Sequence, residues 1–523
     1  MGAEPDASDG LATRGEGSPS ATPDRAKQAG VLVLGTALAT LSSVIVPLLV
    51  VRIVGKADVA ALMALLLIYE TVSLVVTSGF PQTLMYYLPA RPTHERRAVA
   101  VQISRTMLAL GGFAALILVG VGLLGDALPG LFARSAGEPQ VDLRPLVWLA
   151  LLPVGDLPAR ILPNLLIAEG QARAASSVGV IKSISMSLAT LLPLALGKSV
   201  TFVAACISLV GLVQGLLVLY FLRELYARVS PVESPVTVKQ LFRFAIPLGA
   251  TDIVSMLNNG LDRYLILLAF SATAFAEYQA GAWQVPVIVY VPYAVGIAYA
   301  PHFVELFKTG RAREALEIWQ GSIEKVALIV LPTAAILIVG AEELMELLFT
   351  KEYLRAAPVF RMYAILTLGR VAAYGTVIVA AGKPKYVLQA AVLSLASNLL
   401  ISVPLVMTVG YLGPALGTVL AFIPTLAFYC WCIGRAAGVP ATQVFPARRY
   451  LRVLAIAVAA GAVAYGFKLE VHGGAALMLL AEVGLVLSVF GALGTAARVI
   501  TREDWAFVWS WLRLKVLREK AAG

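Results

Sequence analysis

The chain has 523 residues, 59% of them hydrophobic and 14% charged, with a formal net charge of +10. An average soluble domain carries about 25% charged residues, so this composition excludes an ordinary water-soluble fold and makes the bilayer the solvent. The positive balance does not describe a nucleic-acid binder, because Lys and Arg recur between apolar segments rather than in one patch interleaved with aromatics.

Residues 1–28 are rich in small, polar and charged residues and read as a disordered cytoplasmic tail. They do not read as a secretory signal, since the first apolar run is full span length and no small-residue cleavage site follows it. A spanning helix needs about 20 apolar residues. Residues 31–51, 106–125, 199–222 and 278–301 contain no Asp, Glu, Lys or Arg, and neither do 386–434, which hold two spans around a turn at Gly410, Gly413 and Pro414. The pattern predicts about fourteen spans: 29–51, 58–80, 99–124, 145–167, 176–196, 200–222, 243–268, 274–300, 322–340, 358–381, 387–408, 413–434, 452–467 and 475–497. With the N-terminus in the cytoplasm, the cytoplasmic segments hold 26 Lys and Arg and the outer segments hold 8. That asymmetry follows the positive-inside rule and puts both termini in the cytoplasm. Prolines crowd the fourth span (Pro153, Pro158, Pro163) and the eighth (Pro286, Pro292), marking both as interrupted or bendable. Thr501–Lys520 reads as an interfacial helix, with Trp505, Trp509, Leu512 and Val516 on one stripe.

The chain repeats itself weakly. Ala168–Arg173 (AEGQAR) follows the fourth span, and Ala380–Lys385 (AAGKPK) follows the tenth, about 212 positions later. Leu131–Phe132 and Leu143–Pro145 are echoed by Leu348–Phe349 and Ala357–Pro358, and the basic loop at His94–Arg97 by Arg311–Glu314. Repeats of this kind mark secondary transporters. Six spans per unit keeps both units in one orientation, with a cavity between them. The expected organisation is a tail (1–28), two pseudo-symmetric six-helix lobes (29–228 and 229–435), two extra transmembrane helices (436–498) and an amphipathic basic cytoplasmic tail (499–523).

No GxxxxGK[ST], HExxH, paired CxxC or GxSxG motif is present. Cys206, Cys430 and Cys432 sit in apolar spans and suggest neither disulfides nor a metal site. No enzyme chemistry, metal or cofactor is therefore expected. What stands out is ionisable residues inside spans, each costing about 2.5–3.5 kcal/mol at a helix centre. Asp156 and Arg160, four apart, are placed either to pair or to form a site. Arg370 lies near the middle of the tenth span. Asp252, Asn258, Asn259, Asp262 and Arg263 cluster on the seventh. Glu70, Lys182, Glu277, Arg361 and Glu482 complete the set, with Arg361 expected to reach the outer interface.

Several stretches resemble polysaccharide flippases of the MOP (multidrug/oligosaccharidyl-lipid/polysaccharide) superfamily. They are Leu241–Leu248 (LFRFAIPL) with Asn259–Arg263 (NGLDR), Leu347–Arg361 (LLFTKEYLRAAPVFR), Ala380–Lys385, and Val409–Thr418 (VGYLGPALGT). Arg52–Asp58 and Gly79–Leu84 resemble the first hairpin, so the resemblance covers about residues 29–450. The first-half outer loop, Arg134–Gln140, departs from the pattern of the second. The resemblance implies an all-α, MATE-like fold in the bacterial cytoplasmic (inner) membrane. The implied activity is movement of a polyprenyl-diphosphate-linked oligosaccharide from the inner to the outer leaflet by alternating access, for cell-surface polysaccharide assembly. It implies Arg263, Arg370, Lys182 and Arg160 as diphosphate or glycan contacts. Asp252, Asp262, Glu70 and Asn259 would be ion-coupling or sugar contacts, the coupling ion being H+ or Na+. Implied partners are the lipid-linked oligosaccharide, the bilayer, and polysaccharide polymerase and export machinery, with no nucleic acid. The rival readings are a peptidoglycan lipid-precursor flippase, a drug/cation antiporter of the same superfamily, and a membrane-embedded glycan polymerase or acyltransferase.

Overall fold

The computed structural model describes residues 45–77, 79–88, 91–125 and 140–502. The tail at 1–28, most of the first span and the interfacial helix expected at Thr501–Lys520 lie outside the described residues. Among the described residues the chain is all-helical. Helices of span length are what a bilayer requires, because hydrocarbon offers no partner for a free backbone N–H or C=O. The protein is a multi-pass membrane protein, and its described residues include eleven helical stretches long and apolar enough to cross a membrane.

In chain order, α1 (45–53) leads into α2 (Lys56–Thr77), α3 (Phe80–Tyr87) and α4 (Thr93–Leu123). The expected second span ends at Gly79, whose φ of 81° only glycine adopts without strain, and resumes as α3. The fourth span is three pieces, α5 (Leu146–Leu149), α6 (Leu152–Ala159) and α7 (Leu162–Ala168), broken where its prolines fall. Then come α8 (Ala172–Ala195), α9 (Val200–Leu225) and α10 (Val238–Ala269), the last started by a Thr237–Gln240 capping box. The eighth span was expected as a single span over 274–300, bendable at Pro286 and Pro292. It is instead α11 (Ala272–Gly281) and α12 (Pro286–Lys308), separated by extended backbone before Pro286. After α13 (Ala312–Val339) and α14 (Ala341–Phe349), a 3-10 turn (Lys351–Ala356) leads into the tenth span. This too was expected continuous, over 358–381. It divides into α15 (Ala357–Gly369) and α16 (Tyr374–Ala380). No proline marks this break. The helix stops at Gly369, where a side chain would overlap the Phe422 ring. α17 (Lys385–Thr408), α18 (Gly413–Ala437), α19 (Ala447–Glu470) and α20 (Ala475–Ala496) complete the chain.

Helix–helix seams are built on small residues, as expected where lipid is as apolar as any side chain and close backbone packing supplies the attraction. Gly155 of α6 faces Gly211 and Gly215 of α9 so closely that a methyl on Gly155 would overlap the Gly211 carbonyl. Gly413 and Gly417 of α18 press in the same way on Leu405 and Ser402 of α17.

The repeat is visible in the backbone. α7 and α16 both end in a left-handed glycine, Gly170 at φ 76° and Gly382 at φ 73°. In each, the next N–H reaches back to a carbonyl five residues earlier, Gln171 to Leu166 at 2.7 Å and Lys383 to Ile378 at 3.1 Å. Both ends are the same Schellman cap.

α19 and α20 pack on each other and against α13 and α14. A charge cluster pins them there. Lys468 lies 2.7 Å from Glu342, 2.6 Å from Glu343 and 3.7 Å from the fully buried Glu482. Arg361, expected to reach the interface alone, pairs with Glu342 at 2.7 Å. Burial works to raise the Glu342 pKa, but hydrogen bonds from Lys468 and Arg361 hold it below the usual carboxylate range.

Candidate functional site

A cavity of about 1190 Å³ opens between the helices of the first repeat and those of the second. α2, α6 and α8 supply one wall, and α10, α11 and the α15–α16 break supply the other. The segment α2–α3 meets the second repeat at both of its ends, through the start of α2 and through α3. At one end Lys56 pairs with the buried Glu277 of α11 at 2.8 Å, donates to the Glu352 carbonyl at 2.7 Å, and lies 5.3 Å from the centre of the Tyr353 ring. Arg52 donates to the Leu347 carbonyl beside it. At the other end Gly79 abuts the Ala245 backbone, Phe80 meets Phe242 edge-on, and Tyr86 stacks on Phe244. Between these two seams the Tyr264 hydroxyl of α10 donates to Thr71 of α2 at 2.5 Å.

Seven charged side chains line the cavity: Arg160, Lys182, Arg263 and Arg370 against Glu70, Asp156 and Asp252. Asn259 lines it as well. The four cations differ in how they are held. Asp156 is buried and takes hydrogen bonds from Arg160 Nε at 3.0 Å, from Lys182 Nζ at 2.5 Å and from the Tyr69 hydroxyl. One carboxylate thus serves two cations, which leaves that cluster with a net positive charge. Arg263 and Arg370 form no ion pair with a carboxylate among the described residues. Arg263 Nε is buried without a hydrogen-bond partner, and Arg370 lies 5.9 Å from the centre of the Phe422 ring.

Arg160 and Arg370 occupy matching places in the repeat. Arg160 is the C-cap of α6 and Arg370 the C-cap of α15, each at the break of its span. Unpaired carbonyls and the negative end of the helix dipole stabilise a cation at such a terminus. Broken spans at a bilayer-depth cavity are a transporter device, because irregular backbone is tolerated where it borders a polar space.

The structure therefore brings Arg160, Lys182, Arg263, Arg370, Glu70, Asp252 and Asn259 to one cavity. Asp262 is a correction. It was grouped with Arg263 on the pathway, but neighbours on a helix point about 100° apart, and Asp262 is buried away from the cavity. There it accepts the Tyr278 hydroxyl at 3.3 Å and the Arg263 backbone N–H at 2.9 Å. Sequence reasoning missed Tyr69, an unremarkable aromatic in an apolar helix, and missed the pairing of Lys56 with Glu277. Each was legible only as a residue type, since their partners lie 87 and 221 positions away. Cys206, Cys430 and Cys432 are free.

The chain can now be set beside known proteins. Residues 26–307 match the family described as polysaccharide biosynthesis protein. A probable lipid II flippase MurJ from Rhizobium tropici is 31% identical over 114 residues, which are 22% of this chain. That match spans about a fifth of the relative's length, 21%. Among solved structures, a lipid II flippase MurJ in an inward closed conformation superposes with a TM-score of 0.61 at 14% identity, over 89% of this chain and 99% of its own. An inward-facing multidrug resistance MATE family transporter gives 0.54 at 16% identity, over 76% and 95%. A MOP superfamily transporter from Pyrococcus furiosus gives 0.50 at 16%, over 79% and 95%. At these identities the structural likeness is one of fold. The chain belongs to the polysaccharide biosynthesis protein family and has the fold of MOP superfamily transporters.

Proposed function

We propose that this protein is a flippase that moves a polyprenyl-diphosphate-linked oligosaccharide from the inner to the outer leaflet by alternating access. The observation that carries the reading is the pair Arg263 and Arg370, cations in no direct ion pair with a carboxylate among the described residues, facing one large cavity between two repeats. A charge at such depth is costly unless a counter-charge arrives. A diphosphate supplies it, and an Arg fork suits phosphate oxygens geometrically. Arg160 and Lys182, sharing Asp156, add positive potential from the opposite wall. A drug/cation antiporter fits less well, since one of the three cavity carboxylates is already held by two cations. The orientation proposed has both termini in the cytoplasm.

A second reading, a lipid II flippase, is favoured by the 31% identical stretch shared with a probable lipid II flippase. Both substrates carry the same diphosphate, so the cavity suits either. In a host that depends on this chain, Arg263→Ala and Arg370→Ala are expected to cut export at least tenfold while the protein still inserts in the membrane. Normal export by both variants would refute the cationic-cavity reading. In a depletion strain, the lipid-linked glycan that accumulates in the cytoplasmic leaflet decides between the two substrates.

A further inference from the structure

A second cavity of about 350 Å³ opens beside the first, between α10, α16, α17 and α18. Ser255, Asn259 and Arg370 line both cavities, so these three residues form the junction. Beyond the junction the lining is neutral and polar: Asn258, Ser394, Thr425, Tyr374 and Tyr429, with small residues such as Gly375 and Ala391 leaving the space open. Arg370 is the only charged group among the residues that line it.

The polar groups are held in place with capacity to spare. Asn258 Nδ2 donates to Ser394 Oγ at 3.1 Å, while Asn258 Oδ1 accepts from Asn398 Nδ2 at 3.1 Å. Ser394 thus uses a lone pair and keeps its own proton to donate. Thr425 donates to the Ala421 carbonyl at 3.0 Å and keeps its acceptor pairs. Tyr429 lies flat against Tyr374, with ring centroids 5.3 Å apart and planes 9° apart. Its hydroxyl makes no hydrogen bond among the described residues.

This chemistry narrows the occupant. A metal or organic cation would find no carboxylate. A free phosphate would find its one counter-charge at the mouth and none inside. A sugar ring has hydroxyls around its rim and apolar C–H faces, which suit hydroxyl and carboxamide partners beside an aromatic wall. The volume falls at the small end of ligand pockets, about 300–1,000 Å³. We propose that this side pocket is the subsite for the sugar joined directly to the diphosphate. The inference rests on the diphosphate reading of Arg263 and Arg370 and extends it. With a phosphate oxygen on Arg370, the next group along the head is that sugar, and Arg370 stands at the pocket mouth.

The test uses purified full-length protein and three probes: bare polyprenyl diphosphate, and the same lipid bearing one hexose or one N-acetylhexosamine. The wild type is expected to bind at least one glycosylated probe about tenfold more tightly than the bare lipid. Ala391→Leu and Thr425→Leu, which fill the pocket from different helices, are expected to abolish that preference while binding the bare lipid as the wild type does. Unchanged affinity for the bare lipid also shows that each variant is folded. A preference that survives in both variants, or a wild type with no preference, overturns the subsite. A wild type that binds none of the three probes overturns instead the diphosphate reading on which the subsite rests.

Discussion

Arg160 and Lys182 show why charge inside a span is not by itself evidence of a binding site. Both were expected as diphosphate contacts, and both face the cavity, yet both are also bonded to Asp156. The carboxylate acts first as the structural counter-charge, and removing it strands two cations in a low-dielectric setting. Asp156→Asn is therefore expected to destabilise the protein by about 3 kcal/mol, within the range for breaking a buried ion pair. The thermal melt in detergent reads this, and an unchanged melting temperature would show that the cluster carries no stability. Arg263 and Arg370 differ in that neither makes an ion-pair contact with a carboxylate among the described residues, although Asp262 acts on both and Glu70 on Arg263 from farther away, which makes them the stronger candidates for a ligand. Asp262, one residue from Arg263, is turned about 100° from it around the helix and is buried off the cavity.

At the scale of elements, the packing depends on glycines as much as on large side chains. The α6–α9 and α17–α18 seams place backbone against backbone at Gly155, Gly211, Gly413 and Gly417. Gly211→Leu and Gly417→Leu are expected to force these helices apart and lower stability by about 1–3 kcal/mol through overpacking. The measurement is the fraction of folded, monodisperse protein after extraction. Normal yield and melting would mean that the seams tolerate separation. The broken elements carry the function proposed here. α6 and α15 each stop at an arginine, and each following helix ends in the same glycine cap. The three prolines of the fourth span announced the first break, whereas the second has no proline and adjoins Gly369 against the Phe422 ring, a contact between spans that no local pattern contains.

At the scale of the whole molecule, α2 is the strap between the repeats. Its start meets α11 through an ion pair at Lys56, and its continuation, α3, meets α10 through Gly79 and aromatic contacts. Alternating access requires one seam to part while the other holds. Glu277→Gln removes the charge that holds Lys56, and it is expected to open the Lys56 side. In the proposed orientation the Lys56 side faces outward, so on a background without Cys206, Cys430 and Cys432 a Ser187→Cys reporter in the cavity should then react several-fold faster with an impermeant maleimide added from outside. An unchanged rate would mean that the ion pair does not hold the seam.

Composition and periodicity determined that this chain is all-helical and lies in a bilayer, because apolar runs of span length have no other solvent. They also picked out all seven of the charged residues that line the cavity, because charge at bilayer depth is costly wherever it occurs and so stands out in any one span. The loop repeats at Gly170 and Gly382 were legible for a similar local reason, since a left-handed helix end calls for glycine. Tertiary structure alone decided which charges pair, which stay unpaired and which turn away. Those outcomes depend on distances between residues far apart in sequence, such as Asp156 with Tyr69 and Lys182, or Glu277 with Lys56. The side pocket behind Arg370 was likewise hidden, because it is a space between four helices and is encoded in no one of them.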